Sequence, residues 1–321
     1  MSRYILSRVL WGALTALLAS LVVFVIFYVL PTADPAILRA GRQASPEEID
    51  RIREAMGLNE SVFVQYWVYL KGIVLHFDLG YSFQYNAPVS ELIWNRLPAT
   101  ALLVAGSAVL WLAIGIPAGI ISAVRAHSLL DRTTMLTTLA LISAPVFWLG
   151  LVALYLFSAD AGSLLPIFPG TGAYLDANNL AAKAWALSLP WLVMAAASAA
   201  IYARYMRSSL IETMSTDYVR TARAKGLSER SVIRRHGVRG ALIPVVTLLG
   251  LDVGMLLAGN AILTETVFNI PGIGRLVSTS IERADLPVIQ GVVLVGALFI
   301  IAFNLVVDIA YAWLDPRVRY R

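Results

Sequence analysis

Cysteine is absent from the 321 residues, which excludes disulfides and thiolate metal sites. Charge is scarce, with 14% of positions Asp, Glu, Lys or Arg against about 25% in a soluble domain. Histidine is scarcer still. His76, His127 and His236 are scattered, with no two at the i, i+4 spacing of a helical metal pair, so each reads as a surface or interfacial residue. No G-x-x-x-x-G-K-[ST] stretch occurs, so the chain is not its own ATPase. Neither G-x-S-x-G nor H-E-x-x-H is present, and no pair of carboxylates stands in a catalytic arrangement. These absences predict a protein that is not an enzyme and that binds no cofactor or metal.

What is abundant is hydrocarbon. Hydrophobic residues make up 59% of the chain and the mean hydropathy is +0.74, which predicts an all-α integral membrane protein. At about 20 residues per crossing, six transmembrane helices are expected: Val9 to Leu30, Ala99 to Ala123, Thr133 to Phe157, Ala184 to Ala203, Ala241 to Ile262 and Val288 to Tyr311. Helices satisfy every backbone group internally. The apolar run after MSRYILSR is span-length and lacks a small-residue cleavage pattern, so it reads as the first span rather than a removable signal. Pro117, Pro145 and Pro190 are expected to interrupt spans two, three and four. The chain divides into 1–30 (N-terminus and first span), an external segment 31–98, and a five-span domain 99–321 that contains the polar loop 204–240.

An even number of spans puts both termini on one side, and basic residues mark the cytoplasmic side. The N-terminal octet, the 124–132 and 204–240 loops and the C-terminal tail hold 16 Lys/Arg against 5 Asp/Glu, whereas 31–98, 158–183 and 263–287 hold 9 against 13. Both termini are therefore expected in the cytoplasm. The net charge of +5 follows from this asymmetry, with contact to acidic lipid headgroups, and needs no nucleic acid.

The external segment has its own pattern. In SPEEIDRIREAMGL, Ser45 suits an N-cap, Pro46 the first helical position, Glu48 a capping box and Gly57 the stop, with Ile49, Ile52 and Met56 on one face. SVFVQYWVYLKGIVL predicts a second, amphipathic helix whose Tyr66, Trp67 and Tyr69 suit a membrane interface. DLGYS, 78–82, reads as a turn. Such a segment serves as a lid over the outer ends of the spans, as a docking face for an external partner, or as both.

The densest polar stretch is DYVRTARAKGLSERSVIRRH, 217–236, inside a loop with nine basic residues. Thr216 or Ser215 is placed to cap a short helix from Asp217, Gly226 to stop it, and Ser228 to cap a second one running to about His236. A DNA-binding helix-turn-helix in this position is tethered too closely to two spans to enter a major groove. A purely topogenic basic loop would need charge but no particular order. The order here suits a small helical knob that sits in a cleft of another protein.

The segment resembles the cytoplasmic loop signature of ABC importer permeases, in which an alanine-rich helix, a glycine and a coupling helix dock on the ATPase subunit. DYVRTARAKGLSERSVIRRHGVRGALIPVVT, 217–247, is similar to the dipeptide/oligopeptide (nickel) branch almost throughout. VLPTADPA (29–36), MGLNESVFVQYWVYL (56–70), DLGYS, PVSELIWNRLPATALL (88–103), ETVFNIPGIGRL (265–276) and YAWLDPRVRY (311–320) extend the resemblance over nearly the whole chain. It implies a type I importer permease fold, a B-type permease subunit moving di- or oligopeptides inward, and an ATPase-coupling element made of Arg220, Ala222, Ala224, Lys225, Gly226, Leu227, Ser228, Arg230, Val232 and Ile233. It implies, as partners, a second homologous permease subunit, two ABC ATPase subunits that would carry the ATP and magnesium, and an external substrate-binding protein. Two departures stand out: Arg220 occupies the position of the glutamate that opens the general motif, and Arg239 that of a later proline. A salt bridge from position 220 to the ATPase is not implied.

Asp252 lies near the middle of the fifth span, where a charge costs about 2.5–3.5 kcal/mol on insertion scales. It is a candidate for the translocation path, with Asn260 and Pro145, or else a hydrogen-bonded packing acid. Asp308, nearer the cytoplasmic end, is expected to pair with an arginine. Gly115, Gly119, Gly250, Gly254 and Gly259 suit close helix packing. Other functions also fit the composition: a permease for nickel chelates or oligosaccharides, a proton-coupled carrier using Asp252, and a membrane scaffold.

Overall fold

The computed structural model describes residues 2–30, 36–37, 45–55, 57–82, 84–160 and 162–314. Met56, most of VLPTADPA and the last six residues of YAWLDPRVRY lie outside them. Helix α1, Ser2–Phe24, continues through one π-helical turn, Val25–Val29. Two shorter helices come after it, α2 (Pro46–Ala55) and α3 (Val62–His76). A two-residue hairpin comes next, with β1 (Tyr81–Ser82) antiparallel to β2 (Ala87–Pro88) and Tyr81 opposite Pro88. The bundle is built from α4 (Val89–Val124), α5 (Leu129–Ser143), α6 (Val146–Phe157), α7 (Leu180–Ala186) and α8 (Ser188–Met214). It continues with α9 (Asp217–Ala224), α10 (Glu229–Val232), α11 (Val238–Met255), α12 (Ile262–Val267), α13 (Ile273–Glu282) and α14 (Leu286–Leu314).

Four helical runs are long and apolar enough to cross a membrane, or six if each of two bent pairs counts as one span. The third expected span is not straight. Helices α5 and α6 meet at 99° because Pro145 forces the preceding Ala144 out of the helical region, and both residues are extended. Pro117 lies inside the continuous α4, as does Pro98, so the expected interruption of span two does not occur. Nor does Pro190 break span four. It is the third residue of α8, where backbone N–H groups lack helical partners anyway, and the 52° bend between α7 and α8 falls just before it. The second span also begins ten residues early, at Val89, so the end of the expected external segment is the first part of α4.

Packing is set by the small residues. Helix α4 lies against α8 so closely that a Cβ at Gly119 would stand 2.5 Å from the Ala203 carbonyl oxygen and 2.7 Å from Met206 Cβ, and one at Gly115 would stand 2.7 Å from the Ala199 carbonyl oxygen. Around this contact Trp111, Tyr202, Met206, Leu210, Ala241 and Val245 form a buried core shared by α4, α8 and α11. Helix α14 packs on α11 and α1, where Arg8 meets Asp308 at 3.3 Å, the pairing expected for that acid. Leu10, Trp11, Val109 and Leu136 are exposed, as hydrocarbon-facing side chains should be.

The described parts of the segment between α1 and α4 pack on the bundle. Ser45 caps α2, accepting from the Glu48 N–H at 3.3 Å, and Gly57 takes up a φ of +65° at its stop. Helix α3 differs from an amphipathic surface helix. Tyr66 and Tyr69 pack on Phe24, Tyr66 bonds Ser20, and Phe63, Trp67, Val68, Val74 and Leu75 remain exposed around the other sides. Asp78 accepts from the Gly80 N–H to form the DLGYS turn, and Leu79 joins Val89, Ile93, Ile273, Leu276 and Val288 in a second core. Gly119→Val should cost about 1–3 kcal/mol of packing, because the atoms it meets are mostly backbone. A lowered thermal unfolding midpoint of the detergent-solubilised protein, with Val109→Ala as a control at an exposed position of the same helix, checks it.

Candidate functional site

The polar segment is a knob joined to the bundle at both ends without a slack loop. Helix α8 runs to Met214, well past the expected span end at Ala203. The Ser215 and Thr216 hydroxyls do not cap α9 as expected. They donate backward to the Glu212 and Thr213 carbonyls at 2.7 and 2.6 Å, satisfying the end of α8. Ser228 likewise makes no side-chain cap. The second short helix does not end near His236 either: α10 passes through one π-helical turn, Ile233–Gly237, straight into α11. Small residues tighten the joint. A Cβ at Gly237 would lie 2.7 Å from Met214 Sδ, and one at Gly240 would lie 2.6 Å from the Tyr218 hydroxyl.

The ten coupling candidates divide by burial. Ala222 and Val232 are buried with Val219 and packed on Met214, forming the inside of the knob rather than its contact face, and Ile233 is half-buried beside them. Arg220, Ala224, Lys225, Gly226, Leu227, Ser228 and Arg230 are exposed. Gly226 has a φ of +77° and open space where a Cβ would stand, so the turn selects glycine for conformation and not for room. Across that turn Arg223 grips Glu229 with Nη2–Oε1 at 2.7 Å and Nε–Oε2 at 3.1 Å. Arg220 pairs with Asp217 within α9.

The path candidates are not assembled into one cluster. Asp252, in the last turn of α11, accepts a hydrogen bond from the Tyr202 hydroxyl at 2.8 Å. The Trp111 ring lies tilted against Tyr202, with centroids 5.8 Å apart. Asn260 is exposed at the end of the π-helical turn that closes α11, next to Gly259 with a φ of +108°. Pro145 is exposed at the α5–α6 break. No hydrogen bond joins Asp252, Asn260 and Pro145 among the described residues, and no cluster of His, Asp and Glu suited to a metal is found there.

Residues 115–320 match the binding-protein-dependent transport system inner membrane component, and residues 1–104 match the N-terminal region of such membrane components. The chain belongs to this family. It is an ABC importer permease of the peptide/nickel group, a membrane component of a transport system. It is 40% identical over 321 residues, the whole of both chains, to the glutathione transport system permease protein GsiC of Escherichia coli O6:H1. It is also 39% identical over 317 residues, 94% of each chain, to the dipeptide transport system permease protein DppB of Alkalihalophilus pseudofirmus.

In this permease DLGYS, PVSELIWNRLPATALL and ETVFNIPGIGRL prove to carry buried polar ties that no periodicity reveals. Glu265 is fully buried. It accepts from the Thr100 hydroxyl at 2.6 Å and the Arg275 N–H at 2.9 Å, while Thr100 accepts from the Ile273 N–H at 2.8 Å. The carboxylate thus closes the start of α13 and holds it to α4, and Gly272 is required because a Cβ there would collide with it. Ser82 of DLGYS donates to Asp285, just before α14. Asp131 pairs with Arg207. The one signal available in sequence is that Thr100, Glu265 and Ser82 each fall in a stretch with family resemblance.

Burial pushes the Glu265 carboxyl up from its ordinary range, against the lowering effect of the Thr100 and backbone hydrogen bonds. A raised acid favours folding most when protonated. Its contribution is therefore present below about pH 4.3, the unfolded value, and is lost as pH rises through the folded value. Glu265→Gln should flatten this fall, seen as a wild-type-minus-variant difference in unfolding midpoint that becomes more negative as pH rises from about 4.5. A pH-independent difference would contradict it.

Proposed function

We propose that this permease is one of two homologous membrane halves of an importer that moves di- and oligopeptides into the cell. One of two ATPase subunits, which would hold ATP and magnesium, would dock on the 217–236 knob, and an external binding protein would deliver cargo. The observation that carries this reading is the knob's mechanical continuity: it is packed on Met214 at the end of α8 and fused through a π-helical turn to α11. A motor seated on it moves two spans at once. The exposed face supplies contact chemistry, with Arg220, Lys225 and Arg230 around the apolar Leu227 and Tyr218. The names of the relatives, glutathione and dipeptide permeases, support peptides over nickel chelates or oligosaccharides.

The distribution of basic residues supports a cytoplasmic knob and cytoplasmic termini. The outer layer of α2, α3 and the β-hairpin then faces the delivering protein. Asp252 is held by Tyr202, which favours a packing acid over the titrating group of a proton-coupled carrier.

Vesicles rebuilt with all subunits should accumulate labelled di- and tripeptides when ATP is supplied and should keep doing so after the proton gradient is collapsed. Uptake that survives ATP removal but stops with the gradient would overturn the proposal. Gly226→Val, in a left-handed turn that costs a side chain about 1–2 kcal/mol, should leave the permease in the membrane yet reduce peptide uptake per ATP hydrolysed. Gly226→Asn should retain more coupling, since asparagine tolerates that conformation. Equal uptake in all three proteins would remove the turn from the mechanism.

A further inference from the structure

At the knob's end of the bundle, one carboxylate collects four donors from three segments of chain. Asp131, in the first turn of α5, is 3% exposed. Its Oδ1 accepts from Arg207 Nε at 2.7 Å and from the Ser122 hydroxyl of α4, and its Oδ2 accepts from Arg207 Nη2 at 2.8 Å and the His127 N–H at 2.8 Å. Its own N–H donates to the Ser128 hydroxyl at 3.2 Å, which caps α5. Both carboxylate oxygens are thus saturated, and the guanidinium engages them in the two-point fashion that fixes orientation as well as distance. Arg207 stands on α8 seven residues before Met214, roughly 10 Å at 1.5 Å per residue, and Met214 is where the knob's buried side chains rest.

We propose that Asp131 and Arg207 form a positioning clasp that carries motion of the knob into the α4–α5 corner. The inference rests on the reading of the knob as the ATPase-docking element. Without the clasp, a push on the knob enters α8 and α11 by covalent continuity, while no other hydrogen bond or ion pair among the described residues ties the α4–α5 turn, residues 125–128, to α8. With it, the ends of α4, α5 and α8 move as one body, and the displacement is passed up α5 to the 99° break at Pro145. Gly119, one turn from Ser122 and at a point where a Cβ would stand only 3.1 Å from the Arg207 backbone nitrogen, brings the two helices close enough for the clasp to close.

The chain has no cysteine, so introduced thiols are unique within it. Spin labels on Leu129→Cys and Glu212→Cys, both exposed, report the α5–α8 separation in the fully assembled transporter, in the nucleotide-free state and with ATP and vanadate. The distance should change by less than about 2 Å between states, well below the one-turn shift of about 5.4 Å by which one element ratchets past another. In Arg207→Gln the distribution should broaden and shift on trapping, and Arg207→Lys, which keeps charge but not the two-point grip, should fall between. Imported labelled dipeptide per ATP hydrolysed should drop about ten-fold in Arg207→Gln, with hydrolysis within about two-fold of wild type.

A wild-type distance that changes on trapping would overturn the clasp, even if no variant assembles. So would an assembled Arg207→Gln transporter with unaltered transport per ATP. Failure of the underlying reading appears separately, as the absence of a crosslink between Leu227→Cys and the ATPase subunit.

Discussion

For the proposed coupling role, transmission without slack is the constraint on which this structure turns. A membrane bundle responds to a push from outside the bilayer only when the pushed element is stiffly attached, and the 217–236 knob has no free joint. Its entry is sealed by the Ser215 and Thr216 hydroxyls on the last carbonyls of α8, and its exit is a helix that continues into α11. Val219, Ala222 and Val232 fill the space between the two attachments. A loop of the same length and charge, lacking that small core, would dissipate the same displacement in its own backbone.

Stiffness also depends on how the spans meet. In hydrocarbon the hydrophobic effect offers no drive for helix association, so close backbone approach and polar bonds have to supply it. Gly115 and Gly119 provide the first on the α4–α8 face, with Trp111 and Tyr202 packed alongside. The Tyr202–Asp252 bond provides the second between α8 and α11. These contacts share a few turns of α8, which makes that helix the axis through which the knob, the α4 face and α11 are related.

Sequence made the apolar runs, the glycine turn at 226 and the helix opened by Ser45 and Pro46 legible, because each depends on neighbours within a few positions. It misjudged places where local chemistry has two outcomes. Pro145 and Pro117 sit in equally apolar surroundings, yet one breaks a span and the other is absorbed, since tertiary packing decides whether the freed carbonyl is tolerated. Ser215, Thr216 and Ser228 stand where caps for the next helix belong, but two of them serve the helix behind and the third makes no side-chain cap. Ala222 and Val232 fall among the coupling candidates by position alone, because the sequence of a short helix does not say which side meets its own protein.

The buried acids obey one rule that only the folded chain reveals. Asp131 lies at the α4–α5 turn, Glu265 before the α12–α13 reversal, and Asp285 between α13 and α14. Each sits where a helix ends in a crowded place and donors, whether backbone N–H or hydroxyl, need an acceptor that water cannot supply. A carboxylate is suited to this because it accepts several bonds at once. Glu265 and Asp285 are met within hydrogen-bonding range by neutral donors, whereas Asp131 alone of the three is gripped by a guanidinium. A two-point pairing with a guanidinium adds attraction between opposite charges and a fixed geometry that a hydroxyl or backbone N–H cannot supply. The other two reversals are thus fastened by neutral donors, while the two-point ion pair stands at the end of the bundle nearest the knob, where the proposed coupling role would require the fold to resist being pulled apart and not merely be closed.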